Sequence, residues 1–410
     1  MSKYIFILGK NPILSTSEIF SLGELFGLNF KIIDLTSEML IIETEKLEID
    51  LWQSRLGGTI KIGEITNTFE SPEELLKSLN LDCLLGLFNQ SEKKIVFGFS
   101  LYGERIKYLH ERFNELGLDF KKDLQTRGFK ARFIYTSDSP LSSVQIGRNK
   151  IIEKGADVLI ISGIYGFYLG KTLTIQDYQD YSRKDYGRPK RDAKSGMLPP
   201  KLAKTMINLS EAKSKDTLLD PFCGSGTVLQ EALLAGYQNI TGSDIENKAI
   251  QQTRENLEWL TENYKLVQAE YKLIVSDVKS LQTKIAPNSV EAVITEPFLG
   301  PALRSKPAPE KIAKIMNELE SLYLSAFDNF KIILKFRGRV VIIFPLIRTK
   351  DGVFTLKILE SLEKKGFERI NPIPEKVSLF AKIGPTARGS IIYQRSDQKI
   401  EREIFIFEKK

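Results

Sequence analysis

An α/β fold built on a mostly parallel sheet, preceded by an α+β portion, is what this sequence predicts, and three observations predict it. Between 217 and 301, short apolar runs alternate with helical patterns, the order that builds parallel sheets. Four of those runs deliver an acidic residue at or just beyond their ends, where open α/β sheets bind ligands. Before residue 178, short strands and helices mix without that regular alternation. A length of 410 residues amounts to about two to three domains, with a core that needs no staples.

Composition narrows the classes. With 42% hydrophobic and 27% charged residues the chain is neither fibrous nor disordered. One histidine, His110, and two distant cysteines, Cys83 and Cys223, leave no material for a Ser-His triad, a zinc cluster or a disulfide framework. No metal is expected. The N-terminal MSKYIFILGK is too short for a leader's apolar region, and the longest apolar runs, such as VVIIF at 340–344, suit buried strands. A cytoplasmic protein with no membrane partner is the expectation.

The elements follow in order. Residues 4–9, 30–35 and 39–44 read as strands around a helix at 14–27, where Ser15 and Glu18 have capping-box spacing. A second unit runs through strand 61–65, helix 71–79 with Pro72 at its start, strand 94–103 and helix 111–128. Strand 131–137, helix 142–155 and strands 156–164 and 167–177 complete it. Residues 178–200 lack an apolar period and read as linker or loop, and a helix at 199–210 leads into the largest unit. The predicted domains are therefore 1–60, 61–177, a linker at 178–195, and 196–410. Late in the chain, 337–346 reads as a fifth parallel strand, 354–366 as a helix, and 377–383, 389–395 and 401–410 as β segments, the last two pairing as a hairpin.

Charge is unevenly placed. The chain carries +7 overall, yet residues 1–120 hold 12 basic and 18 acidic side chains, while 121–150 hold seven and two, and 171–216 hold eleven and six. Two basic tracts of this kind suit a phosphate-contacting surface. Lys130, Arg132, Arg183, Arg188, Lys190 and Arg191 are the candidate contacts, with Tyr181 and Tyr186 as stacking partners.

The chemistry concentrates in TLLDPFCGSGTVLQEALLA at 217–235. A buried strand ends at Asp220, a turn follows at Gly224 and Gly226, and a helix begins. Glycines there permit positive φ and close backbone approach. Leu229 stands where a dinucleotide fingerprint needs its third glycine, and no Lys-Ser/Thr follows Gly226, so neither of the common nucleotide loops fits. The next strands end in Asp244, Asp277 and Glu296, and an acid at the second tip can accept both hydroxyls of a ribose.

DPFCGSGT resembles the cofactor-binding first motif of S-adenosylmethionine-dependent methyltransferases of the Rossmann-like class, and TEPFLG resembles the (D/N)PP(Y/F) motif of amino-group methylators. Together with RKDYGRPKRDAKSGMLPPKLAKTMINLS, the chain resembles the THUMP-containing tRNA guanine-N2 methyltransferases acting at position 10. The resemblance implies a Rossmann-like domain with a mostly parallel seven-stranded sheet, behind ferredoxin-like and THUMP domains that grip tRNA. It implies S-adenosylmethionine as cofactor, held by Asp220, Phe222, Gly224, Gly226, Thr227, Asp244, Ile245 and Asp277, and a reaction site at Glu296, Pro297 and Phe298.

TEPFLG departs from the motif. Matched without gaps, Glu296 takes the acid's place and Leu299 the aromatic's; shifted by one, Phe298 supplies the aromatic and Thr295 replaces the acid. The ungapped match is favoured because it keeps a carboxylate. An exocyclic guanine amine is a poor nucleophile, so Glu296 and the Pro297 carbonyl would accept its two N–H groups and receive the proton, with rate gained from positioning. Arg304, Lys306, Lys311 and Lys314 would ring the mouth of the site. Methylation of guanine N2 in ribosomal RNA or of adenine N6, and non-catalytic RNA binding, are the alternatives.

Overall fold

The computed structural model describes all residues except 89–93, 138, 192–196, 267–269, 302, 304–307, 379, 381–382 and 395–397, and the side chains of 376 and 378. Arg304 and Lys306 fall outside the described residues. The chain divides into two compact units, one of Met1–Thr16, Leu28–Asp180 and Glu375–Ile383, the other of Ser17–Gly27, Tyr181–Pro374 and Gly384–Lys410.

The first unit is built on an eight-stranded sheet. Its strands are β1 (Ser2–Leu8), β2 (Lys31–Leu35), β3 (Met39–Thr44), β4 (Thr59–Phe69), β5 (Lys94–Tyr102), β6 (Lys130–Phe133), β7 (Gly155–Ser162) and β8 (Phe167–Ile175), in spatial order β2-β3-β1-β4-β8-β7-β5-β6. The sheet runs without a break across residue 60, because β1 pairs with both β3 and β4. Ser71 caps the helix at Pro72–Ser78 by accepting from the Glu74 N–H.

Local differences from the sequence reading have physical causes. Asn11, not Ser15, caps the first helix (Pro12–Phe26), accepting from the Leu14 N–H at 3.1 Å; Ser15 lies inside it and donates to the carbonyls of Asn11 and Gly58. Glu18 is buried and accepts from Asn208. The helix expected over 142–155 breaks at Lys150, whose φ of 51° is left-handed. LDCLLGL at 81–87 is an additional helix, capped by Asn80. The predicted loop is partly helical, at Tyr178–Ser182 and through a wider turn at Arg183–Gly187. It folds because Tyr181 and the Lys184 side chain are buried, Lys184 pairing at 3.0 Å with buried Glu231.

The second unit carries β9 (Thr217–Asp220), β10 (Asn239–Asp244), β11 (Tyr271–Val275), β12 (Val290–Thr295), β13 (Leu334–Thr349), β14 (Gly352–Thr355), β15 (Phe367–Arg369), β16 (Ile391–Tyr393) and β17 (Glu401–Lys409). The main path has seven strands, β11-β10-β9-β12-β13-β17-β15, with β14 on β13 and β16 on β17. The five from β11 to β13 are parallel, and β17 runs antiparallel to β13 and β15. The α/β prediction holds, including the β16–β17 hairpin pairing. Of the expected 354–366 helix only Leu359–Lys364 is helical, and 375–378 is helix where a strand was expected to begin. The core joins the helix Pro309–Ile333 to the sheet through Phe327, Phe344, Phe367, Phe405 and Phe407; Phe327 meets Phe367 edge-on at 4.8 Å.

A buried ion pair ties four strands of the first unit. Lys61 on β4 donates to Asp157 on β7 at 2.9 Å, and Asp157 also accepts from Ser100 on β5 and Thr172 on β8, both at 2.6 Å. Burial opposes the Lys61 ammonium, but the neighbouring carboxylate outweighs it and holds the group above its usual range. Lys61→Met would leave Asp157 in the core without its cation, held by Ser100 and Thr172 alone, and urea unfolding should show the first unit destabilised by about 3–5 kcal/mol. Lys61→Met with Asp157→Leu should recover much of that loss.

Candidate active site

The order of the parallel strands makes the crevice. From β9 the chain steps outward to β10 and β11, then returns to place β12 on the other side of β9, and a crevice opens beyond the strands' carboxyl ends where the direction reverses. A cavity of about 880 Å³ lies there, within the second unit.

Its floor is the turn after β9. Gly224 and Gly226 have φ of 51° and 83°, which side-chain-bearing residues rarely adopt. A Cβ on Gly226 would strike Thr253 at 2.8 Å, whereas one on Gly224 would meet nothing within 4 Å. Three groups hold the turn. Asp244 at the tip of β10 accepts from the Gly224 N–H at 3.0 Å, and Thr253 donates to the Gly224 carbonyl at 2.7 Å. Asn256 donates to the Ser225 carbonyl at 2.8 Å. Asp244 also accepts from the Glu246 N–H with its other oxygen, so each oxygen keeps a lone pair for a ligand.

Asp220 is buried; its Oδ1 accepts from Thr295 at 2.7 Å and from the Phe222 N–H at 3.2 Å. Burial, with smaller contributions from the nearby Asp244 and Glu296 charges, pushes its carboxyl up to about 7 against those two hydrogen bonds. Burial also raises the Cys223 thiol, which makes it a packing group in the turn. Ile245 is 65% exposed at the rim, and Asp277 accepts from the Lys279 N–H.

Of the residues expected to hold a cofactor, Asp220, Phe222, Gly224, Thr227, Asp244, Ile245 and Asp277 line the cavity; Gly226 shapes the turn from behind. Glu296, Pro297, Phe298 and Leu299 line it as well. Phe298 is 58% exposed, and its carbonyl accepts from the buried Tyr323 hydroxyl. Thr295 is fully buried and turned to Asp220, which favours the ungapped reading of TEPFLG with Glu296 as the cavity's acid.

Sequence reasoning missed Arg402. On β17, it donates to Glu296 through Nε at 2.5 Å and Nη2 at 3.4 Å, and its side chain is only 4% exposed. Nothing in the local sequence marks it, since it lies 106 positions from its partner.

The basic candidates separate. Lys130 and Arg132 alternate on β6, one of the two edge strands of the first unit's sheet, and are exposed on one face. In the second unit Arg183 and Arg191 are exposed and stack over Tyr264 and Tyr186 at 5.9 and 5.0 Å. Lys190 pairs with Glu255 at 3.0 Å. Arg188 is corrected: it is 3% exposed and donates to Thr227 at 2.8 Å, so it braces the helix after the turn and does not reach a surface ligand. Tyr181 is likewise buried. Lys311 and Lys314 are exposed on the Pro309–Ile333 helix. Among the described residues no helix is long and apolar enough to cross a membrane, and no three His, Cys, Asp or Glu residues gather as metal ligands.

Known proteins resemble this chain in sequence and in fold. Residues 188–365 match a family model described as "RMKL-like, methyltransferase domain", and 101–255 match one described as "DNA methylase". Over all of both chains the fold is similar to that of TrmN from Thermus thermophilus, with a TM-score of 0.57 and 16% identity. The tRNA (guanine(10)-N2)-dimethyltransferase of Methanothermobacter thermautotrophicus is 38% identical over 30% of this chain, and the chain spans about a third, 33%, of that relative's length. The probable tRNA (guanine(10)-N2)-dimethyltransferase of Methanothermococcus thermolithotrophicus is 34% identical over 27% of this chain and 68% of its own. With 34% identity over two thirds of that relative's length, the chain belongs to its methyltransferase family.

Proposed function

We propose that this protein transfers a methyl group to the exocyclic N2 of a guanosine in tRNA, at position 10, working in the cytoplasm. The observation that carries the reading is Glu296: a carboxylate at the tip of β12 faces the cavity that the glycine turn and Asp244 also line. S-adenosylmethionine would supply the methyl group. The residues present suit it: acids at the tips of β9 and β10 and just past β11 match a cationic ligand with ribose hydroxyls, exposed Ile245 offers an apolar face, and the space above Gly224 is open. About 880 Å³ also leaves room for a base beside it.

Glu296 and the Pro297 carbonyl would take the two amine hydrogens, and Phe298 at the rim would wall the base. A paired guanine hides its N2, so it must be extruded at a cost of a few kcal/mol, and the RNA must be gripped elsewhere. Residues 1–60 as a ferredoxin-like domain and 61–177 as a THUMP domain would supply that grip, with Lys130 and Arg132, joined by Arg183, Lys190 and Arg191 of the second unit. The stacked Arg–Tyr pairs at 183 and 191 support an RNA surface there.

Three measurements test the reading. Rapid-quench methyl transfer to a tRNA transcript should fall about 10²-fold in Glu296→Gln, with both dissociation constants little changed, because an acceptor is lost in the transition state. Transfer at the wild-type rate by that variant would remove Glu296 from the reaction, and mass spectrometry of the digested transcript checks the base and position.

For the cofactor, Asp244→Ala should weaken binding more than about tenfold, roughly 1.4 kcal/mol. Asp220 adds a pH dependence. Its raised carboxyl is protonated below about 7 and ionised above, and a cationic ligand favours the ionised form. Calorimetry should show affinity rising by up to about tenfold per pH unit as pH approaches 7 from below, then levelling, while Asp220→Asn should flatten the rise. The free protein responds with opposite sign: this group's contribution to stability is greatest at low pH and declines between its ordinary value and about 7.

For the RNA, association should weaken with salt on a log-log line. Lys130→Glu with Arg132→Glu should raise the RNA dissociation constant and shallow the slope by roughly one to two, leaving cofactor affinity alone. A slope that does not change would return both residues to the ordinary surface.

A further inference from the structure

We propose that Arg402 is a positioning residue for methyl transfer, fixing the Glu296 carboxylate in the orientation in which it accepts a hydrogen of the target amine. The proposal rests on the reading of Glu296 as the amine's acceptor.

The geometry is that of a fork. Arg402 Nε and Nη2 address the two oxygens of Glu296, and Nη1 donates to Gln398. The fork is charge-assisted and fixes both oxygens of the carboxylate in one plane at the cavity wall. Glu296 has a longer, freer side chain than aspartate, and without a partner it would sample several rotamers at the tip of β12. The fork removes that freedom before a substrate arrives, which is the condition for a reacting amine to be held in line.

Arg402 is itself committed. It sits on β17 opposite Pro345 of β13 and Tyr393 of β16, with strands on both sides. The adjoining acids have other cations: Glu401 pairs with Arg348 at 2.9 Å, and Glu403 with Arg388 at 3.0 Å. Arg402 is therefore left for Glu296. Stability alone does not call for this pair, because well-packed apolar groups serve as well or better in such places. The pair also narrows the chemistry. Taking the amine's proton would break a charge-assisted bond, so Glu296 acts as acceptor during transfer, and the proton passes to solvent through the mouth of the cavity.

The test is a cycle of Arg402→Lys, Glu296→Gln and the double variant, read by single-turnover transfer to tRNA and by separate titrations of cofactor and tRNA. Lysine keeps the charge and loses the fork, so Arg402→Lys should slow transfer by about tenfold or more while both dissociation constants stay within about twofold. The double variant should be no slower than Glu296→Gln, because with the acceptor gone nothing remains to be positioned. Arg402→Ala, checked for its fold by circular dichroism, should recover part of its rate when guanidinium is added at low, non-denaturing concentration, and tetramethylammonium should restore none.

Wild-type transfer by Arg402→Lys, a loss confined to cofactor or tRNA binding, or fully additive rate losses in the cycle would each overturn the proposal. Failure of the folded Arg402→Ala variant to respond to guanidinium would do the same. Absence of transfer by the wild-type protein would instead defeat the functional reading on which it rests.

Discussion

The cavity depends on one carboxylate that holds backbone from two neighbouring strand ends. Asp244 accepts from the Gly224 N–H with one oxygen and from the Glu246 N–H with the other, pinning the turn after β9 to the tip of β10. Two neighbouring strand ends thereby become one rigid floor. Thr253 and Asn256, three residues apart on the helix Asn247–Tyr264, close the same turn from beneath by donating to the Gly224 and Ser225 carbonyls. Arg188 adds a brace through Thr227, the first residue of the following helix. Positive φ at Gly224 and Gly226 carries no steric cost for glycine, these bonds fix the turn in that conformation, and the space above Gly224 stays open.

Among the charged groups that face that space, acids outnumber cations. Asp220, Asp244, Asp277 and Glu296 line it together, and carboxylates gathered in a partly desolvated crevice repel one another. Each is managed differently. Asp220 has its carboxyl raised to about 7, Asp244 is bonded by two backbone N–H groups, Asp277 caps a short helix, and Glu296 is paired with Arg402. The arrangement leaves a negative floor beside a neutralised pair, a division that suits a cationic ligand against the floor and a neutral base against the pair.

What the sequence made legible follows from the range of the forces involved. Strand, glycine turn, helix and acids at successive strand ends could be read because each is encoded within a few residues, by period two, by positive φ and by the reversal at a strand tip. Residues 178–187 were not legible as structure, because the polar side chains that suggested a loop find partners inside: Lys184 meets Glu231 across 47 positions, and Arg188 meets Thr227 across 39. A basic tract and a buried ion-pair network have the same composition. The helix at Leu81–Leu87 failed for the opposite reason, being too short and too uniformly apolar to show a period. Arg402 carried no signal at all, since its role exists only through the register of the last strand.

That register is set by packing on the opposite face of the same strand. Phe405 and Phe407 are fully buried against the core, with Phe405 4.9 Å from Phe344 and Phe407 5.4 Å from Phe327. Side chains alternate along a strand, so seating those odd-numbered rings in the core commits Arg402 to the other face. Both faces of β17 are buried, so a slip of one residue would trade Phe405 and Phe407 for Ile404 and Ile406 on the core side, misfit both layers, and bring Glu401 or Glu403 toward Glu296. Shape-specific packing thus selects the register, like-charge repulsion rejects its neighbours, and the acceptor at the tip of β12 is aligned by β17, far from it in sequence.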